Sequence, residues 1–179
     1  MSDNNKKIVI FDVDGVIFKS QFLLCLSWNS GILNYIRAWY LCFLFSINYL
    51  SMRILLEKVF IRVKGLKEED LWQLYYKTKM VANAERTIQE INNSGHYVAL
   101  ISSGVPDILM KNLAEKLDAG CGYGIDVKID SGFCTGEIGG LLSYSDGKLQ
   151  VVEKLLKTHN NTWDNVVVVG DDRNNLEIM

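Results

Sequence analysis

The sequence predicts an α/β protein, a doubly wound parallel sheet with a helical domain inserted after its first strand. Three observations carry this. Ile8–Phe11, Tyr97–Ile101 and Val166–Val169 are short, continuous apolar runs, and each stops at a polar cluster: Asp-x-Asp-Gly, Ser-Ser-Gly and Gly-Asp-Asp. Such runs mark strands buried on both faces. Helical patterns lie between them, and alternation of this kind builds a parallel sheet whose ligand site lies at the carboxyl ends of its strands. All three polar clusters fall at that edge. Finally, Lys19–Met80 shows helical patterning and no strand signal.

Helices are expected over Ala84–Asn92, Pro106–Leu117 and Lys148–Lys157, with Pro106 in a first turn, where its missing N–H is not needed. Asp126–Asp130 alternates, a Ser-Gly turn follows, and Cys134–Ile138 returns, which predicts a hairpin appended to the sheet. The glycine-rich Gly120–Gly124 follows a helix and precedes a strand, the reverse of a dinucleotide fingerprint, so it reads as a flexible connection. Within the helical stretch no charge occurs from Ala38 to Met52. That span is shorter than the roughly 20 residues a transmembrane helix needs.

Composition narrows the function classes. The chain has 179 residues, 49% hydrophobic and 22% charged, with formal net charge -2. This suits a packed domain and offers no overall positive charge to hold nucleic acid. Cys25, Cys42, Cys121 and Cys134 are scattered without CxxC spacing, which fits a reducing compartment and argues against a zinc site. The amino-terminal apolar run is broken by Asp12 and Asp14 too early for a secretory signal, so a cytoplasmic protein is expected, with association to a membrane surface left open. His96 and His159 read as surface or packing residues.

The chemistry starts at Asp12-Val13-Asp14-Gly15. Residues two apart at a strand end point the same way, so both carboxylates can face one cavity. Two close carboxylates repel unless a cation or a shared proton offsets them. Oxygen-only ligation suits Mg²⁺. A calcium loop does not fit, because its next ligand would be Val16 and its closing glutamate Leu23.

Four segments resemble, in order, the motifs of the haloacid dehalogenase superfamily: the strand with DVDGV, the strand ALIS ending at Ser102, Lys148 in SDGKLQVVEKLL, and VVVVGDDRNN. The insertion after the first motif resembles a C1 cap, and the subfamily resembled is the phosphoserine-phosphatase-like group. The resemblance implies a Rossmann-like core over residues 1–18 and 81–179, a helical cap over 19–80, and a magnesium-dependent phosphatase acting on a small phosphomonoester. Asp12 would be the nucleophile and Asp14 the acid and base. Mg²⁺ would be held by the Asp12 and Asp171 carboxylates and the Asp14 carbonyl. Ser102, Ser103 and Lys148 would bind phosphate, with backbone N–H groups near Val13, Asp14 and Ser103 completing the cradle.

Three departures matter. Asn175 stands where a GDxxxD pattern has its second carboxylate, so either Asp172 supplies that acidity or metal binding weakens. Gln21 stands where phosphoserine phosphatases place a glutamate that meets the substrate ammonium, which disfavours phosphoserine. Family members continue past the fourth motif, whereas this sequence stops at Met179, which raises truncation as an expectation.

The insertion carries Trp28, Tyr35, Trp39, Tyr40, Phe43, Phe45, Tyr49 and Phe60. They either pack internally or serve an apolar or lipid-like substrate, a membrane surface or a subunit interface. The subfamily also resembles phosphatases of lipid-linked phosphates. Two readings compete with the phosphatase: a phosphotransferase or mutase of the same superfamily, and a non-catalytic module that binds a membrane or protein. Oligomeric state is not legible.

Overall fold

The computed structural model describes residues 6–171, 175 and 178. Strands β1 (Ile8–Asp12), β2 (Tyr97–Pro106), β3 (Cys121–Asp130), β4 (Phe133–Gly139) and β5 (Val166–Val169) form one sheet in the spatial order β4-β3-β2-β1-β5. All neighbours are parallel except β3 and β4, the expected hairpin.

Side-chain alternation explains why β1 and β2 are apolar throughout. Val9, Phe11, Val98 and Leu100 enter one core, while Ile8, Ile10, Ala99 and Ile101 enter a second on the opposite face. Helices α5 (Ala84–Asn93) and α6 (Asp107–Lys116) contribute Ile88, Leu109, Met110 and Leu113 to the first. Helix α7 (Gly147–Thr158) contributes Val151, Val152, Leu155 and Leu156 to the second. The sheet is thus covered on both faces, as a doubly wound fold requires.

Two local expectations are corrected. Gly120–Gly124 is not a flexible connection, since Cys121–Asp130 is all strand. Its glycines serve packing: a Cβ at Gly122 would run into the Met110 carbonyl, and one at Gly124 into the Val105 carbonyl. Pro106 does not occupy a first turn but ends β2 and caps α6 in extended backbone (φ -56°, ψ 140°).

Between β1 and α5 the chain forms α1 (Phe22–Asn29), α2 (Ile32–Ser46), α3 (Met52–Phe60) and α4 (Glu68–Lys77). The two connections to the sheet run side by side. Lys19 N–H donates to the Lys79 carbonyl at 2.9 Å, and Val81 N–H to the Ile17 carbonyl at 2.8 Å. The helices share a third core with the hairpin, in which Leu26, Leu41, Leu56 and Phe60 meet Ile125, Cys134 and Ile138. Main-chain bonds reinforce that contact: Gly65 N–H to the Cys134 carbonyl (2.8 Å), Cys134 N–H to that of Leu66 (2.8 Å), and Glu68 N–H to that of Gly132 (2.9 Å). No described helix is long and apolar enough to cross a membrane.

Candidate active site

The parallel strands bring Asp12, Ser102 and Gly170-Asp171 to one edge, because Asp12 pairs with Ile101 on β2 and Phe11 with Val169 on β5. Asp12 Oδ2 accepts hydrogen bonds from Lys148 Nζ at 2.6 Å and from Asn175 Nδ2 at 2.8 Å. Lys148 Nζ also donates to Asn175 Oδ1 at 2.8 Å, closing a triangle. Its members are 5%, 5% and 1% exposed, so the ion pair is shielded from water. Burying two charges is costly unless hydrogen bonds complete them, and the Asn175 amide serves both ends. Asp12 Oδ1 accepts from the Val13 N–H at 2.8 Å.

Lys148 reaches this position from the second residue of α7. Gly147 permits it, since a Cβ there would collide with the Leu141 carbonyl.

Asp14 sits in a different environment. Its Oδ1 accepts from the Phe22 N–H at 2.7 Å and its Oδ2 from the Ser102 hydroxyl at 3.1 Å. Burial is the largest influence and pushes the carboxyl up to about 6; the Phe22 N–H opposes it, the Asp12 charge adds to it, and Ser102 and Lys148 oppose it more weakly.

Ser102 is placed by an irregularity in β2. Ile101 pairs with Tyr123, but pairing resumes only at Pro106 with Ile125, so the intervening residues bulge. Within that bulge Ser102 Oγ accepts from the N–H groups of Gly104 (3.0 Å) and Val105 (3.1 Å). A Cβ on Gly104 would lie 2.6 Å from Asp14 Oδ2, so glycine is what lets the two loops close together. Gly15, at φ +79°, plays the same part for Asp171, whose carboxylate occupies the space of the missing Cβ.

Asp12, Asp14, Gln21, Ser102, Ser103, Lys148 and Asp171 all line one cavity of about 350 Å³. Gln21 precedes α1 at its N-cap but makes no side-chain capping bond. Asn175 lies behind this wall, against Asp12 and Lys148, and Asp172 lies outside the described residues. The histidines lie elsewhere: His96 accepts from the Lys7 N–H at 3.3 Å, and His159 packs on Tyr97 with ring centroids 4.0 Å apart.

Of the remaining wall the sequence pointed only to Phe45, among the insertion's aromatics. Leu23, Cys42, Phe45, Ser46, Met52 and Leu55 come from α1, α2 and α3. Burial, and secondarily the nearby Asp14, pushes the Cys42 thiol up to about 11, so it stays neutral. Spacing 42, 45, 46 is helical, but the polar residues of α2, Asn34, Arg37 and Ser46, fall on different sides of the helix and mark no polar face to fix its phase.

No group of three His, Cys, Asp or Glu side chains arranged to hold a metal occurs among the described residues. The available donors are two carboxylates, Asp12 and Asp171, and main-chain carbonyls of the Asp12–Gly15 loop. These are hard oxygen donors, the kind Mg²⁺ takes while keeping waters. The bare Cα of Gly15 admits Asp171 to that loop, so the residues present fit such an ion.

Comparisons with known proteins agree with this architecture. A phosphoserine phosphatase of Archaeoglobus fulgidus is 24% identical over 96% of this chain, and the chain spans about half (49%) of that relative. One of Methanocaldococcus jannaschii is 23% identical over 98% of this chain and 82% of its own length. A solved structure of a phospho-aspartyl intermediate analogue of phosphoserine phosphatase superposes with a TM-score of 0.88 at 24% identity, covering 97% of this chain and 82% of the other. The profile of the haloacid dehalogenase-like hydrolases matches residues 9–179, nearly the whole sequence, and the chain belongs to that family.

Proposed function

We propose that this chain hydrolyses a phosphomonoester with an apolar leaving group through an aspartyl-phosphate on Asp12. The carrying observation is the contrast between two neighbouring carboxyls in one cavity. Asp12 accepts hydrogen bonds from Lys148 and Asn175, while burial pushes the Asp14 carboxyl up to about 6. Pairs of acids held in such different environments mark nucleophile and proton carrier.

In the first step an Asp12 oxygen attacks phosphorus, the ester P–O bond breaks, and Asp14 gives its proton to the leaving oxygen. In the second, water attacks phosphorus as it loses a proton to Asp14. The acyl phosphate bond breaks, which frees phosphate and restores Asp12. Lys148 offsets the charge of the triangle and of the transferring group. The Ser102 hydroxyl is engaged with Asp14 and holds that carboxyl toward the cavity; it turns to a phosphoryl oxygen only by releasing Asp14. Ser103 lines the cavity beside it. Asp12, Asp171 and the Asp14 carbonyl would hold Mg²⁺, which when bound supplies charge neutralisation at the phosphoryl oxygens.

Residues 19–80 act in this reading as a cap that selects the leaving group. Their cavity wall is neutral: Gln21, Leu23, Cys42, Phe45, Ser46, Met52 and Leu55. The relatives are named for phosphoserine, but no charged group on this wall could meet an ammonium or a carboxylate. A chain-like apolar alcohol suits it better. The test is Mg²⁺-dependent phosphate release across phosphomonoesters that include lipid phosphates and phosphoserine. Asp12→Asn should reduce turnover by at least about a thousandfold while far-UV circular dichroism is unchanged. Turnover surviving in that variant sinks the nucleophile assignment, and a preference for phosphoserine sinks the apolar leaving group.

A further inference from the structure

The outer face of α2 has no partner. Ile32, Ile36, Trp39 and Phe43 recur at helical spacing along one stripe and are 48% to 57% exposed. Trp39 and Phe43 stack on one another at the surface, with centroids 6.3 Å apart. Trp28, Leu33, Tyr40, Ile47 and Tyr49 extend the exposed apolar area to either side. Contiguous patches of this kind mark contact surfaces.

Charge identifies what covers it. The chain as a whole is at -2, yet the inserted lobe, residues 19–80, holds nine basic side chains against four acidic ones. Arg37 is exposed one turn from the exposed Leu33 and Tyr40 and puts a cation at the margin of the patch, whereas Lys58 and Arg62 meet Asn34 and Ala38 on the side of α2 turned away from it. An apolar stripe with Trp and Tyr beside it, a cation at its margin and a basic lobe behind it is the pattern of a helix lying in a bilayer interface. A second copy of the same lobe would bring like charges together instead. At 15 residues, α2 can lie on a bilayer but not cross it.

We infer that α1 and α2 dock the protein on an anionic bilayer surface, with the outer stripe of α2 in the headgroup–acyl boundary. The same helix walls the cavity on its inner side through Cys42, Phe45 and Ser46, while Phe43 and Ile47 face outward. One helix therefore separates bilayer from active site, and a phosphomonoester with a lipid tail passes from one to the other around it. This last link rests on the phosphatase reading; the docking does not.

The test is flotation of the full chain with vesicles of phosphatidylcholine alone and of an equal mixture with phosphatidylserine, alongside phosphate release from p-nitrophenyl phosphate. Flotation with the anionic vesicles should exceed that with neutral ones by about tenfold or more and fall in high salt. Trp39→Asp with Phe43→Asp should abolish it and leave p-nitrophenyl phosphate hydrolysis unchanged. Arg37→Glu, which leaves the apolar stripe intact, should weaken the anionic preference severalfold, so the inference stays testable if the first variant misfolds. Protein that stays at the bottom with anionic vesicles overturns it, as does equal flotation with neutral ones. A dimer in light scattering that Trp39→Asp/Phe43→Asp dissolves assigns the face to a second copy and also overturns it. Flotation without phosphate release in any assay would leave the docking standing and sink the phosphatase reading alone.

Discussion

Asp12 and Asp14 stand two positions apart in different surroundings, and burial, not the donors it meets, pushes the Asp14 carboxyl up. Lys148 and the Asn175 amide converge on Asp12, whereas Asp14 meets one N–H and one hydroxyl in a setting that favours its neutral form. Its folded value, about 6, lies above the ordinary 3.8, so the native state binds this proton more tightly than the unfolded chain does. The stabilisation from Asp14 is therefore fully present below about pH 4 and is lost as pH rises through 6, by about 2–3 kcal/mol. In metal-free protein, urea denaturation of wild type and Asp14→Asn across this window should differ by that slope; parallel curves would refute the shift. Asp12, Asp14, Ser102 and Lys148 were legible in the sequence because each sits at or just beyond the end of a recognisable element. The role of Asn175 was not. As a missing carboxylate it looked like a defect, and only the fold shows its amide donating to Asp12 and accepting from Lys148.

At the scale of elements, legibility followed apolar runs. β1, β2 and β5 were announced by continuous hydrophobic stretches, and the hairpin by alternation. The first half of β3 was misread because three of its flanking and internal positions are glycine, which the eye assigns to a loop. Contact geometry shows why they are there: β3 passes so close to α6 that any side chain at Gly122 would enter the Met110 carbonyl. Gly122→Ala should consequently destabilise by about 1–3 kcal/mol or more, measured by urea denaturation, since backbone and not a flexible side chain must yield. A variant as stable as wild type would show that α6 can move away. Helix α2 was legible as a helix but not in its orientation, because its three polar residues, Asn34, Arg37 and Ser46, lie on different sides and mark no single face. Its inner and outer faces could be told apart only once the cavity was in place.

At the scale of the molecule, the order of elements in sequence was enough to name the doubly wound sheet and its helical insertion. How the insertion is held was not, because the contacts are between residues far apart in sequence. The chain's net charge of -2 likewise concealed the basic excess of the insertion, residues 19–80. The paired connections at Lys19–Lys79 and Ile17–Val81 would suit a lid swinging on a single hinge. The main-chain bonds of Gly65, Leu66 and Glu68 to the β3–β4 hairpin pin the opposite end. The insertion is thus an arch with both feet on the ground, and rotating it about one foot must uproot the other. Amide exchange distinguishes the cases: the N–H groups of Gly65, Glu68 and Cys134 should exchange as slowly as those of β1, whereas loop-like rates would mean that the far foot lifts. If they are slow, substrates come and go beneath a standing arch, and its span limits the girth of any leaving group while setting no limit on its length.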